Sequence, residues 1–89
     1  MKGLLRKVPG KLSETAIDDE IVVMSLDSGD FFSLTGTGRS AWLLIDGSRD
    51  RAALIAALAT EYAADAALIA PEIEAFLDEL GAAGLIESG

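Results

Sequence analysis

From Leu12 to Ile17 the chain alternates apolar and polar residues (Leu-Ser-Glu-Thr-Ala-Ile), the period of two expected of a half-buried strand. Asp18-Asp19 is a turn signal. Glu20-Ile21-Val22-Val23-Met24-Ser25-Leu26 is β-branched and apolar on both faces, which predicts a second strand covered on both sides. Asp27-Ser28-Gly29-Asp30 is a hairpin turn in which Gly29 supplies the positive φ. Phe31-Phe32-Ser33-Leu34 follows as a third strand, so the three make an antiparallel meander.

The period then changes. Ser40 to Ile45 spaces Ala41, Trp42 and Ile45 as a short helix that stops at Asp46-Gly47. Ser48 can cap a second helix, with Asp50 in its first turn; it carries Leu54, Ile55 and Leu58 and ends near Tyr62. Asp65 can cap a third, from about Ala66 to Ala82, with the stripe Ile69, Ile73, Phe76, Leu77 and Leu80. Pro71 either kinks that helix or starts it. Leu85-Ile86 return to the core. The expected domain is α+β and winged-helix-like, three strands followed by three helices. Residues 1–11, basic and containing Pro9-Gly10, read as an irregular arm; residues 12–89 read as a single domain.

At 89 residues and 51% hydrophobic composition the chain supports one small core. It has neither a bilayer-length apolar run nor a signal-peptide core, so a cytoplasmic protein without membrane contact is expected. The chain lacks both Cys and His. That excludes disulfides, thiolate or imidazole zinc sites, Cys nucleophiles and His bases, and it favours a binder over an enzyme. No metal constellation and no cofactor motif stands out. A net charge of −8 argues against a nucleic-acid partner and suits protein partners.

Three features imitate functional motifs. Gly36-Thr37-Gly38-Arg39-Ser40-Ala41 fits G-x-G-x-x-A, but a dinucleotide site needs a parallel βαβ unit, which antiparallel strands and a two-turn helix do not supply. Its glycines read as a strand-to-helix joint. Asp27-Ser28-Gly29 resembles a phosphopantetheine carrier serine, yet Ser28 sits in a hairpin turn and Gly replaces the Leu. Glu72, Glu74, Asp78 and Glu79 read as a solvated helix face. A winged-helix DNA reader would instead carry a basic recognition helix.

Several stretches together resemble the PqqD-like proteins, peptide-recognition domains of ribosomally made natural-product pathways. They are Asp19-Glu20 before an apolar strand, Ser28-Gly29 ahead of Phe31-Phe32-Ser33-Leu34, and Ala41-Trp42-Leu43-Leu44-Ile45-Asp46-Gly47. Tyr62 with Asp65 and the run Ile73, Phe76-Leu77, Leu80, Gly84-Leu85-Ile86 complete the match from about Leu12 onward. Two positions depart from the family: Thr35 stands where Asn is usual, leaving Thr35 or Thr37 to serve the joint, and Pro71 interrupts the third helix.

The resemblance implies a non-catalytic protein that binds the leader of a precursor peptide. The leader would add as a strand to Phe31–Leu34 and lie against the third helix. A meander leaves that strand's N–H and C=O groups unpaired, and a peptide strand can satisfy them. The expected contact residues are Asp30, Phe31, Phe32, Ser33 and Leu34 on the strand, with Ile69, Glu72, Ile73, Phe76 and Leu77 on the helix. Phe31 and Phe32 point to opposite faces, so one enters the core while the other borders the groove. Leu77 is expected to be plain core. Asp30 and Glu72 would meet a basic leader residue at the rim. A free-standing domain with Trp42 looks most like the leader-binding protein of lasso-peptide biosynthesis, which delivers its precursor to a leader peptidase. The alternative is a PqqD-type partner of a radical SAM enzyme. A peptide-free homodimer through the apolar edge is compatible with either.

Overall fold

A computed structural model describes residues 3–88. The order is β1 (Leu5–Lys7), β2 (Leu12–Ile17), β3 (Glu20–Ser25), β4 (Phe31–Leu34), α1 (Gly36–Leu43), α2 (Arg51–Glu61), α3 (Ala66–Ala82) and β5 (Ile86–Ser88). Strands β2, β3 and β4 form the expected antiparallel meander, and three helices follow. Asp18 at φ 54° and Gly29 at φ 79° make the two hairpin turns. In the second turn the Gly29 N–H donates to the Ser25 carbonyl, and the Asp30 N–H donates to the Ser28 hydroxyl. Ser28 is therefore occupied with turn geometry.

The arm differs from expectation. Leu5–Lys7 is a strand, paired antiparallel with β5 in the register Leu5–Ser88 to Lys7–Ile86. Leu5 and Ile86 are buried, so the terminal segments are drawn together by apolar side chains that a local reading assigns to no element. Met1 and Lys2 of the arm lie outside the described residues.

The helices differ mainly in where they begin. Helix α1 starts at Gly36 rather than Ser40, so the GTGRSA stretch is itself the first two turns. Gly36, at φ 56°, turns the chain out of β4. Asp50, not Ser48, caps α2 by accepting from the Ala53 N–H at 2.8 Å. Ser48 instead holds the Asp46 carboxylate. That hydroxyl and N–H, followed by Arg49, keep the Asp46 carboxyl below its ordinary range. Asp65 caps α3 as expected, and α3 runs unbroken through an exposed Pro71.

The core lies between the inner face of the sheet and the helices. Ile21, Val23 and Leu34 meet Trp42, Leu54, Leu58, Ile73, Leu77, Leu80 and Leu85 there. Trp42 is fully buried, and its Nε1–H donates to Glu14 Oε2 at 2.9 Å, tying α1 to the middle of β2. Lys7 lies 4.5 Å from the centre of the Trp42 ring and 3.9 Å from Glu14, closing the cluster on its outer side. Arg51 bridges α2 to Glu74 at 3.1 Å and Asp78 at 2.8 Å on α3. Burial opposes the charge of Arg51, but the two carboxylates prevail and raise its pKa. The expectation that both faces of β3 are covered does not hold: Met24 is exposed and Val22 only half-buried, because the helices pack on one side alone.

Candidate peptide-binding groove

The groove begins at a strand edge. Strand β4 pairs with β3 in the register Ile21–Leu34 to Met24–Phe31, and no strand among the described residues pairs with its other side. Just beyond the strands, the Ser25 N–H donates to the Asp30 carbonyl at 2.7 Å. Residue pairs alternate between bonded and non-bonded along an antiparallel ladder. Stepping by two along this register, Phe32 and Leu34 turn their backbone groups toward β3. Phe31 and Ser33 therefore turn theirs toward the open edge.

Side chains alternate as well. Leu34 is buried and Phe32 is half-buried against the core, whereas Phe31 is 70% exposed on the outer face. Phe32 is thus the aromatic that enters the core, and Phe31 looks away from the helices. Ser33, also on the outer face, donates its hydroxyl to Glu20. Asp30 is exposed at the head of the strand.

Past Leu34 the chain turns through Thr35 and Gly36 into α1. Thr35 occupies the N-cap position but makes no side-chain capping bond. The first turn of α1 then faces α3 across an open pocket of about 210 Å³, lined by Thr37, Gly38, Glu72, Ile73 and Phe76. Gly38 faces Phe76 across it: a Cβ built there would sit in ordinary contact with Phe76 Cε1 at 3.8 Å, and a longer side chain would reach into the pocket. The pocket has an aromatic and an aliphatic wall, one hydroxyl and one carboxylate at its rim. That combination accepts an apolar side chain and leaves Glu72 for a cation or hydroxyl beside it.

The structure therefore brings together three of the expected helix residues, Glu72, Ile73 and Phe76. Ile69 is half-buried one turn N-terminal to Ile73. Leu77 and Leu34 belong to the core and support the groove from beneath. Thr37 and Gly38 also line the pocket, although in the sequence the Gly36-Thr37-Gly38 stretch signals only a strand-to-helix joint. Arg39, the next residue on α1, has a buried Nε without an acceptor among the described residues. A second cavity, of about 240 Å³, lies between Gly3, Leu5, Asp50, Arg51, Ala52 and Ser88. It is less suited to recognition because Glu74 and Asp78 already neutralise the charge of Arg51.

Comparison with known proteins bears on this site. The family model for coenzyme PQQ synthesis protein D (PqqD) matches residues 20–86, from the start of β3 into β5. The chain belongs to the PqqD family. A search of the curated proteins found no match. Among solved structures, the chain is similar to one described as TbiB1 in complex with the TbiA(beta) leader peptide, with 27% sequence identity and a TM-score of 0.78. The likeness covers 91% of this chain and 94% of that chain. No helix among the described residues is long and apolar enough to cross a membrane.

Proposed function

We propose that this PqqD-family protein is a non-catalytic recognition protein that binds the leader segment of a ribosomally made precursor by strand addition to β4. The observation that carries this reading is the free edge of β4. It presents the backbone groups of Phe31 and Ser33 beside the pocket formed by Thr37, Gly38, Glu72, Ile73 and Phe76. An added strand satisfies those backbone groups, and its inward side chains reach the pocket, which supplies selectivity. The likeness to TbiB1, whose structure holds a leader peptide, supports the same reading. Asp30 and Glu72 favour a basic residue at the rim and hasten encounter more than they tighten binding.

The held leader is then presented to a processing enzyme. The resemblance in the sequence favours a lasso-peptide pathway with a leader peptidase; the family's own name keeps a radical SAM partner as the second reading. A DNA-reading role is poorly supported, because α3 carries Glu72, Glu74, Asp78 and Glu79 and no Lys or Arg.

Fluorescence polarisation with a labelled leader, taken from the precursor encoded beside this gene, tests the proposal, with the scrambled peptide as control. Saturable binding of the native leader alone is expected. Equal binding of native and scrambled peptides, or no binding of either, overturns it.

A further inference from the structure

The outer face of the sheet, away from the helices, carries an apolar shelf. Phe31 (70% exposed) and Met24 (39% exposed) stand directly opposite one another on β4 and β3. Theirs is a non-hydrogen-bonded pair, the kind in which facing side chains approach most closely. Val22 lies on the same face, and Ser33 opposite it is capped by Glu20. A phenylalanine this exposed, on an uncharged edge strand, is an aggregation hazard unless something covers it.

A second copy is a poor cover. Glu14 turns inward and Asp27 is paired with Lys11, but Asp18, Asp19, Glu20 and Asp30 have no basic partner among the described residues, so two such faces repel. A strand added at the β4 edge is a better one. It continues the sheet, so alternate side chains of the added strand emerge on the outer face. The one opposite Phe31 has its Cβ about 5 Å from that of Phe31, within contact of the ring.

We infer that the leader is read on both faces: an inward side chain enters the Gly38–Phe76 pocket, and an outward apolar side chain, aliphatic or aromatic, covers Phe31 and Met24. This rests on the strand-addition reading and deepens it. It adds a rule for the ligand. The two anchoring residues of the leader stand an odd number of positions apart, because an even spacing puts both on one face.

The test is a double-mutant cycle by fluorescence polarisation. The wild-type protein, Phe31→Ala and Phe31→Leu are titrated with the native leader and with single-alanine leader variants. Phe31→Ala is expected to weaken native-leader binding by up to about fivefold, the range of a cross-strand pair, and Phe31→Leu to restore part of it. Alanine at one outward position, odd-spaced from the pocket residue, is expected to weaken binding to the wild-type protein but not to Phe31→Ala. Unchanged affinity in Phe31→Ala overturns the inference, and so does the same loss with every leader variant. A Phe31-dependent dimer that persists with leader bound assigns the shelf to a second copy and also overturns it. All three leave leader binding itself intact, whereas failure of the wild-type protein to bind any leader removes the strand-addition reading as well.

Discussion

The two open edges of the meander are built from opposite materials. Strand β2 is polar (Leu-Ser-Glu-Thr-Ala-Ile), with Leu12, Glu14 and Ala16 turning their backbone groups outward. The outward set follows from the Leu26 N–H, which donates to the Lys11 carbonyl one step beyond the strands. Its middle residue, Glu14, points inward to Trp42 and Lys7, and an inward charge on an edge strand is a known guard against pairing. Strand β4 (Phe-Phe-Ser-Leu) has no charge and no proline, and the structure gives it no bulge. One edge is protected and the other left open, and the open edge is the one beside the α1–α3 pocket. The inward charge of Glu14 guards β2, whereas uncharged β4 is physically free to accept an added strand.

A proline placed on each edge in turn distinguishes the two most strongly. Ser33→Pro removes an outward N–H from β4, and Ala16→Pro removes one from β2. Ser33→Pro is expected to weaken leader binding more than about tenfold, at least ~1.4 kcal/mol, while Ala16→Pro leaves it unchanged. Polarisation titrations report both, with circular dichroism as the check on folding. Equal losses from the two variants would erase the distinction between the edges.

Glu14→Ala strips the guard from β2. It leaves the buried Trp42 Nε1–H without its acceptor, at an expected cost of about 1–3 kcal/mol. Urea denaturation followed by Trp42 fluorescence measures that cost. Sedimentation velocity should show more self-association than the wild type at equal concentration, because the β2 edge is then open.

Gly38→Leu fills the pocket while leaving the strand edge intact. It is expected to weaken leader binding about tenfold and to change stability by less than about 1 kcal/mol, since leucine suits a helix better than glycine. Unaltered affinity would place selectivity on the strand alone.

The smallest effect is expected far from both edges. Asp46→Asn leaves leader binding unchanged. The Asp46 carboxyl is held below its ordinary value of 3.8 by Ser48 and Arg49, so its contribution is present above that value and is lost as the pH falls through the lowered one. The stability difference between variant and wild type should therefore close in acid, as denaturation curves across that range would show.

Local rules made much of this legible. The strand Phe31–Leu34, the Gly29 turn, the Asp65 cap and the extent of α3 are written in neighbouring residues. So are Ile73 and Phe76, because helical spacing places them in one apolar stripe, whereas Glu72 reads locally as part of a solvated face. Thr37 and Gly38 are not legible as pocket residues because a glycine has no side chain to advertise a wall; only the packing of α1 against α3 sets them opposite Phe76. The start of α1 was misplaced for a related reason, since two glycines and a threonine are weak helix formers and tertiary packing overrode propensity.

The sequence alone carries the order of the meander and the three helices, and the alternation that sends Phe31 and Phe32 to opposite faces, all of which follow from periods of two and 3.6 residues; the terminal pair of strands is not among them. What only the tertiary structure decided is which face is which. The helices cover the Phe32 side and leave the Phe31 side bare, and the terminal strands close on each other across the length of the chain. Those outcomes depend on where distant apolar stripes find one another, and a local pattern carries no record of its eventual partner.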